Sequence, residues 1–456
     1  MRRRALVAQN CAGVVSVHKM AKLTLRDIDL KNKTVLVRAD FNVPQDAGLN
    51  ITDDTRIRAT IPTLKYILEK GAKKLVLISH LGRPDGKPVA KYSLRPVAAR
   101  LKELLGQDVF FLDDCAPGLI GEAGARCCAG LIGEAGARCC AVGANIKLDI
   151  DKSKERVILL ENLRYYAEEE ANDTNFARQL ASLADVFVND AFGTAHRAHA
   201  STEGVTHFLK SAAGFLLEKE IKYLGEAVSN PQKPFMIILG GAKVSDKIGV
   251  IENLLPKCDA IIIGGGMAYT FLKAEGKQIG NSKLEKDKLD LAKSILEKAR
   301  QLNKEILLPV DNVVVDNIDP NAKIEVVGEN IPEGKIAVDI GPATIKLFQE
   351  KLKTAKTVVW NGPLGIFEMD AFSRGTQEVA KFIANLKIIS IIGGGDTAAA
   401  IAKFKLEDKM THISTGGGAS LEFLEGKTLP GIAALTDRPE GRGLASDSQS
   451  HRPEGQ

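Results

Sequence analysis

The sequence predicts an α/β protein built from two doubly wound parallel-sheet lobes, joined by a helix, with a cleft between them. Three observations carry this. Short, β-rich apolar runs alternate with amphipathic stretches along most of the chain, which is the wiring of βαβ units. The runs are continuously apolar rather than alternating, as in strands buried on both faces. They also outnumber the strands of a typical open sheet, so two sheets are expected.

The first-lobe strands are read at Thr34–Phe41, Leu75–His80, Val157–Asn162 and Val186–Asp190. Those of the second are Phe235–Gly241, Ala260–Gly266, Glu305–Asp311, Thr357–Gly362 and Ile388–Gly395. Helical periodicity falls between them at Arg58–Lys70, Leu94–Leu105, Asn175–Leu183, Leu284–Leu302 and Ala343–Leu352. The divider is Phe215–Val228, where Leu217, Ile221, Leu224 and Val228 share one helical stripe. Ser229-Asn230-Pro231 ends it. The expected layout is a first domain over 20–212, a connecting helix over 213–230, a second domain over 231–420, and a segment over 421–436 that returns to the first lobe.

Of 456 residues, 45% are apolar and 26% charged, which excludes wholesale disorder. Basic residues number 62 against 57 acidic, a net +5. So weak a balance gives no case for nucleic-acid or membrane-surface binding. Aromatic residues are 5% with one Trp, Trp360, too few to suggest stacking platforms for single strands. No apolar stretch reaches the roughly 18 residues of a transmembrane helix. Seven Cys (Cys11, Cys115, Cys127, Cys128, Cys139, Cys140 and Cys258) are an odd number in a large chain. That argues for a reducing compartment, here the cytoplasm. The vicinal pairs at 127–128 and 139–140 do not match the spacing of zinc ligands.

Both ends differ from the body. Residues 1–19 carry Arg2, Arg3, Arg4 and Lys19 with no acid. They read either as a transit-like extension or as translation from an upstream start, with Met20 the true beginning; the second reading is preferred. Residues 437–456 have few apolar positions and read as a disordered tail. The string GLIGEAGARCCA occupies Gly118–Ala129 and again Gly130–Ala141. This duplication is expected to be a surface insertion.

The chemistry-bearing residues gather at strand ends, where open α/β sheets bind ligands. In the first half, Arg38, Asp40 and Asn42 end one strand, and Arg56 and Arg58 follow a polar loop. His80 and Arg83 end the next strand, Glu161, Asn162 and Arg164 the third, and Asn189–His199, with Arg197, the fourth. Recurrent Arg forks suit a small anion bearing phosphate and carboxylate. His196 and His199 have metal-ligand types but no evident third ligand. The second half gathers glycine: Gly240-Gly241-Ala242-Lys243 up to Lys247, Gly264–Gly266, Gly393–Gly395 with Asp396 and Thr397, and Gly416–Gly418. Each follows a strand and opens a helix, so backbone N–H groups could cradle a polyphosphate. Asp396 is a suitable oxygen ligand for nucleotide-bound Mg2+. Neither the Walker A nor the G-x-G-x-x-G fingerprint occurs, which argues against a Rossmann dehydrogenase. An anion pocket facing a polyphosphate pocket suits phosphoryl transfer with domain closure.

These residues lie within longer strings: VRADFNVP (Val37–Pro44), SHLGRPDG (Ser79–Gly86), LLENLR (Leu159–Arg164), NDAFGTAHRAHAS (Asn189–Ser201) and ILGGAKVSDK (Ile238–Lys247). Others are IIGGGMAYTF (Ile262–Phe271), VWNGPLGIFE (Val359–Glu368), IIGGGDTA (Ile391–Ala398) and STGGGASLEFLEGKTLPG (Ser414–Gly431). In this order, over residues 20–436, the chain strongly resembles the phosphoglycerate kinases. The resemblance implies Mg2+-dependent, reversible transfer of phosphate between 1,3-bisphosphoglycerate and ADP, giving 3-phosphoglycerate and ATP. It implies glycerate binding by Asp40, Asn42, Arg56, His80, Arg83, Arg164 and Arg197. It implies nucleotide binding by Gly241, Ala242, Lys243, Lys247, Gly266, Asn361, Glu368, Gly394, Gly395, Asp396 and Thr397. Glu368 would take the ribose hydroxyls and Asp396 would face the metal.

It further implies a glycolytic, monomeric enzyme with no nucleic-acid or membrane partner. On that reading the nucleophiles, a phosphate oxygen or a carboxylate, are already ionised at neutral pH and need no general base. What remains is in-line positioning and neutralisation of the transferring group, expected of Arg56 and Lys247 with Lys243 and Mg2+ assisting. A non-catalytic nucleotide-binding descendant of the same fold is the alternative. It would bind ATP without turnover, although the charged site positions are intact. The duplicated block departs from the family pattern and precedes Arg164, so glycerate binding is where it would be felt. The polar tail after the last motif is a second departure.

Overall fold

The computed structural model describes residues 22–115 and 146–437. The expectations for 1–19, for the duplication at 118–141 and for the tail beyond Asp437 fall outside those residues.

The first sheet contains β1 (Thr34–Arg38), β2 (Lys74–Ile78), β3 (Val109–Leu112), β4 (Val157–Leu160), β5 (Val186–Asn189) and β6 (Ser211–Ala213). Their spatial order is β3-β4-β2-β1-β5-β6 and every pairing is parallel. The second sheet contains β7 (Phe235–Leu239), β8 (Ala260–Ile263) and β9 (Glu305–Leu307). After an excursion it adds β13 (Thr357–Asn361), β14 (Ile389–Gly393) and β15 (His412–Ile413), in the parallel order β15-β14-β13-β7-β8-β9. The excursion forms a three-stranded antiparallel sheet from β10 (Asp311–Val315), β11 (Glu325–Gly328) and β12 (Ile336–Ile340), with β10 central.

Continuous apolar runs have the consequence the sequence implied. All five residues of β1, β2, β7 and β13 are buried. Alternate side chains then serve two cores. Val35 and Val37 of β1 pack in one cluster and Leu36 in another. Met236 and Ile238 of β7 pack apart from Ile237 and Leu239. Each fully buried aliphatic side chain of this kind contributes roughly 1.5–3 kcal/mol.

The two sheets share one apolar cluster. It runs from Leu36 and Phe187 of the first sheet to Ile237 and Ile261 of the second. The helix Phe215–Ser229 connects β6 to β7 and contributes Leu217, Leu224 and Val228 to that cluster. The first and last of the described residues come together on the first sheet. Leu23 N donates to Thr436 O (2.9 Å), and Lys22 Nζ donates to Ala433 O and Leu435 O (2.7 and 2.8 Å). Gly431 N donates to Ala195 O (2.9 Å).

One expected strand is divided. Glu305–Asp311 reads as a single apolar run, yet β9 stops at Leu307 and Asp311 opens β10 in the other sheet. Pro309 lies between them and has no N–H for a ladder. The expected helix at Leu284–Leu302 starts later, at Leu289, after a 3-10 turn over Lys286–Lys288.

The ends of β7 and β13 meet without side chains. Gly240 N donates to Asn361 O (3.0 Å) and Gly241 N to Pro363 O (2.9 Å). A Cβ on Gly362, whose φ is +104°, would stand 2.1 Å from Gly240 O. Gly362→Ala is therefore expected to destabilise the protein by about 2–4 kcal/mol through backbone overlap and positive-φ strain. Gly328→Ala, where a Cβ meets nothing within 4 Å, is the control. Urea unfolding checks this; equal midpoints for the two variants would contradict it.

Candidate active site

A pocket of about 260 Å3 opens at the carboxyl ends of the first sheet. All seven residues expected to bind the glycerate line it: Asp40, Asn42, Arg56, His80, Arg83, Arg164 and Arg197. Their convergence is built by the loops after β1, β2, β4 and β5 and by the first turn of the helix Thr55–Glu69, which carries Arg56.

The LLENLR string shows how. Glu161 accepts hydrogen bonds from Leu94 N and Asn162 N (2.8 Å each) and from Ser93 Oγ (2.7 Å). Asn162 Nδ2 donates to Leu81 O (2.7 Å) and Tyr92 O (2.9 Å), while its Oδ1 accepts from Arg164 N (3.0 Å). Two buried polar side chains thus tie the loop after β2 to the turn that aims Arg164. Arg164 Nη1 donates to Gly82 O (3.0 Å) and its Nε lies 3.1 Å from Glu170 Oε1. Asn42 Oδ1 accepts from Gly82 N (2.9 Å). Arg56 Nη1 reaches both oxygens of Asp40 (3.2 and 3.1 Å) and Asn42 O (3.2 Å). Arg83 is exposed and has no ion-pair partner among the described residues.

Histidines add donors but little charge. Burial, then Arg38, Arg164 and Arg56, hold His80 well below the usual histidine range. Burial and the same arginine cluster push His199 down to about 3. His196 is lowered too, chiefly by burial. At neutral pH the positive charge of the pocket therefore belongs to its guanidinium groups. Among the described residues no group of three or more His, Cys, Asp or Glu is placed to hold a metal ion.

The pocket also contains residues not assigned to it from sequence: Gly82, Gly193, Thr194, His196 and Gly416–Gly418. The glycine run after β15, which the sequence groups with the polyphosphate loops, lines this pocket among the arginines. Glu220 of the connecting helix accepts from Thr415 N (2.8 Å), and the Phe192 ring would stand 2.4 Å from a Cβ on Gly416. These contacts turn the loop toward the first sheet.

The remaining glycine loops cluster at the carboxyl ends of β7, β8, β13 and β14. Gly265 N donates to Leu364 O (3.0 Å), Met267 N to Gly241 O (3.0 Å) and Gly362 N to Thr397 Oγ1 (2.7 Å). Thr397 is fully buried, so its hydroxyl serves this internal bond. Gly266 packs against Ala242, a Cβ there standing 3.2 Å from Ala242 O. Gly394 (φ +84°) and Gly395 open the helix that carries Asp396. Lys247 Nζ donates to Asn361 Oδ1. Burial lowers its pKa, opposed by Asp246, Asp396 and Glu425. Lys247, Asn361 and Asp396 are thus neighbours, while Lys243 and Glu368 are exposed on flanking loops.

Neither Lys243 nor Lys247 lines the arginine pocket. The loop bearing them is held by Glu285, which accepts from Val244 N, Ser245 N (3.2 Å) and Ser245 Oγ (2.7 Å). Nothing local in the sequence marked Glu285. Exposed Asp396 at a helix start, beside glycine amides and a lysine, is an oxygen donor of the kind Mg2+ takes with nucleotide phosphates, so these residues fit that ion.

A model of the phosphoglycerate kinase family matches residues 25–427. The chain belongs to that family. A phosphoglycerate kinase of Koribacter versatilis (strain Ellin345) is 54% identical over 429 residues, 92% of this chain and 100% of that protein. One of Clostridium tetani is 54% identical over 420 residues, 91% of this chain and 98% of its own. Among solved structures, the phosphoglycerate kinase from Coxiella burnetii matches with TM-score 0.77 and 42% identity. That from Pyrococcus horikoshii OT3 matches with TM-score 0.73 and 33% identity. Each covers 91% of this chain and 98% of the solved chain. Membership makes the protein a phosphotransferase.

The depressed histidine has a thermodynamic consequence. His199 titrates near 3 when folded against an ordinary 6.5, so the unfolded chain takes up the proton first as pH falls. The contribution of this group to stability is fully present above about 6.5 and is lost progressively as pH falls from there toward 3. His199→Gln should reduce the loss between pH 7.5 and 5 by on the order of 1 kcal/mol. Urea midpoints at the two pH values check this; an unchanged slope would refute it.

Proposed function

We propose that the protein catalyses Mg2+-dependent, reversible phosphoryl transfer between 1,3-bisphosphoglycerate and ADP, with 3-phosphoglycerate and ATP as products. The carboxyl group of 3-phosphoglycerate is the acceptor in the reverse direction. The observation that carries this reading is the convergence of Arg56, Arg83, Arg164 and Arg197 in one pocket with Asp40, Asn42 and neutral His80. Such a set suits a small molecule carrying both phosphate and carboxylate. The first domain, 20–212, would hold it.

The second domain, 231–420, would hold the nucleotide. Gly241, Ala242, Gly266, Gly394, Gly395 and the backbone N–H of Thr397 would line its phosphates, with Lys243, Lys247 and Asn361 beside them. Glu368 would accept the ribose hydroxyls. Asp396 would hold Mg2+, which supplies charge neutralisation on the phosphates and no acid–base function.

No general base is required, since the attacking oxygen is ionised at neutral pH in both directions. The histidines, held neutral, are available as donors rather than as bases. Arg56 and Lys247 would neutralise the transferring group from opposite sides. Arg56 is held by Asp40, which fixes the guanidinium near the pocket floor. Because Lys247 does not line that pocket, transfer on this reading requires the two lobes to close. The family resemblance supports a cytoplasmic monomer acting in glycolysis. No helix among the described residues is long and apolar enough to cross a membrane.

The test is ATP consumption by the full-length protein with Mg2+, with and without 3-phosphoglycerate, in a coupled assay that removes the acyl phosphate. Turnover should require 3-phosphoglycerate and the metal. Arg56→Ala should lower kcat by on the order of 10²–10³, as for a lost oxyanion donor, while KM for ATP stays within a factor of about two. An unchanged kcat would remove Arg56 from its role. ATP binding without any turnover would favour the non-catalytic reading.

A further inference from the structure

Beneath the arginine pocket lies a polar cluster that the proposed mechanism does not use. Arg38, at the end of β1, is wholly buried although it carries a permanent charge. Its Nε donates to Ser201 Oγ (2.8 Å), its Nη1 to Ala39 O (2.5 Å), and its Nη2 lies 3.2 Å from His80 Nδ1. Ser201 is bonded in turn to Glu169, which is also fully buried. Ser201 Oγ donates to Oε1 (2.5 Å) and Ser201 N to Oε2 (2.9 Å). Neither Arg38 nor Glu169 lines the pocket, but His80 does.

We propose that Glu169 is a positioning residue: through Ser201 and Arg38 it fixes His80 as the neutral imidazole that presents Nε2–H to the anion pocket.

A guanidinium has five donors and no acceptor. Its contact with His80 Nδ1 therefore has one polarity: Arg38 donates and Nδ1 accepts. A ring whose Nδ1 accepts carries its proton on Nε2 when neutral. His80 Nε2 has no hydrogen-bond partner among the described residues, which leaves its N–H for a ligand oxygen.

Arg38 can hold this pose only if its own charge is compensated, because an unpaired buried ion is strongly unfavourable. Two carboxylates act on it, Glu169 first and Asp40 second. Asp40 is already bonded to Arg56, so Glu169 is the carboxylate not committed to another arginine contact within hydrogen-bond distance. The other charged or titratable groups facing the cluster are Arg164 and His199, whose Nδ1 lies 3.8 Å from Glu169 Oε1. Burial and the arginines also oppose protonation of His80, consistent with a ring that stays neutral.

The link to substrate rests on the assignment of the arginine pocket to 3-phosphoglycerate, so the test reads the imidazole and the kinetics separately. The full-length protein is labelled with 15N-histidine, and the His80 signals are assigned by their loss in His80→Gln. Between about pH 6 and 8, His80 should show an unprotonated Nδ1, a protonated Nε2 and no titration. In Glu169→Gln and in Ser201→Ala the pattern should move toward a tautomer mixture. KM for 3-phosphoglycerate should rise about ten-fold, the scale of one weakened charge-assisted hydrogen bond, with KM for ATP unchanged. A protonated Nδ1 in the parent, or a His80 spectrum unaltered in both variants, overturns the proposal. An altered spectrum with unchanged KM for 3-phosphoglycerate keeps the tautomer control and removes the link to that ligand. If Glu169→Gln does not fold, Ser201→Ala and the parent spectrum decide.

Discussion

The buried carboxylate of Glu220 is the contact on which the shape of the site depends. It sits on the helix Phe215–Ser229, wholly enclosed, between the two sheets. One oxygen meets His412 Nε2 at 2.7 Å; the other accepts from Thr415 N and Thr415 Oγ1 at 2.8 and 3.1 Å. A carboxylate so placed costs several kcal/mol in lost hydration unless such donors replace the water. Of its partners, His412 opens β15 and Thr415 follows it; β15 is an edge strand of two residues paired with β14. So short an edge strand cannot set the direction of its own exit. Glu220 does so, and Tyr223, one turn along, stacks on the His412 ring at 4.9 Å. The result is that Gly416–Gly418, leaving the second sheet, enter the pocket built by the first.

Gathering arginines has an electrostatic cost, and the chain offsets it in two ways. Carboxylates are shared out: Asp40 to Arg56, Glu170 to Arg164, Glu169 to Arg38 through Ser201. The histidines contribute hydrogen-bonding capacity without charge, because burial opposes their protonation. Arg83, exposed, takes no such compensation. The pocket therefore remains attractive to an anion while its built-in ions are stabilised. Lys247 follows the same logic with the opposite balance, since burial lowers its pKa while Asp246, Asp396 and Glu425 raise it.

Much of this was legible in the sequence because the relevant signals are local. Continuous apolar runs identify most of the parallel strands but not the half-buried β3 or the short β6 and β15, and strand ends identify the arginines. The misses have separate physical causes. Pro309 divides an apolar run that reads as one strand. In the antiparallel sheet β11 alternates between half-buried and exposed positions, and Asp311, Asn312 and Asp339 place polar side chains in the buried strands β10 and β12, so its members do not stand out as continuous apolar runs. The place of Gly416–Gly418 among the arginines is not legible locally, because their direction is set by Glu220, nearly two hundred positions earlier. Glu285 and Glu169 carry no local mark in the sequence for the same reason. A carboxylate that holds a distant loop or a buried arginine looks in sequence like any surface acid.

The separation of the two residue clusters bears on how the proposed transfer would proceed. Lys247, Asn361 and Asp396 neighbour one another, and Arg56 lies with Asp40 in a pocket they do not line. In-line transfer needs reacting atoms about 3–3.5 Å apart. The proposed chemistry therefore calls for relative movement of the sheets, yet one apolar cluster runs through both. Breaking that cluster would expose side chains worth roughly 1.5–3 kcal/mol each, which argues against a motion that opens it. A motion about the connecting helix that preserves the cluster moves the glycine loops and the arginine pocket instead. Gly416–Gly418 are then the part of the second lobe already in place, and Glu220 is the point on the helix that keeps them there.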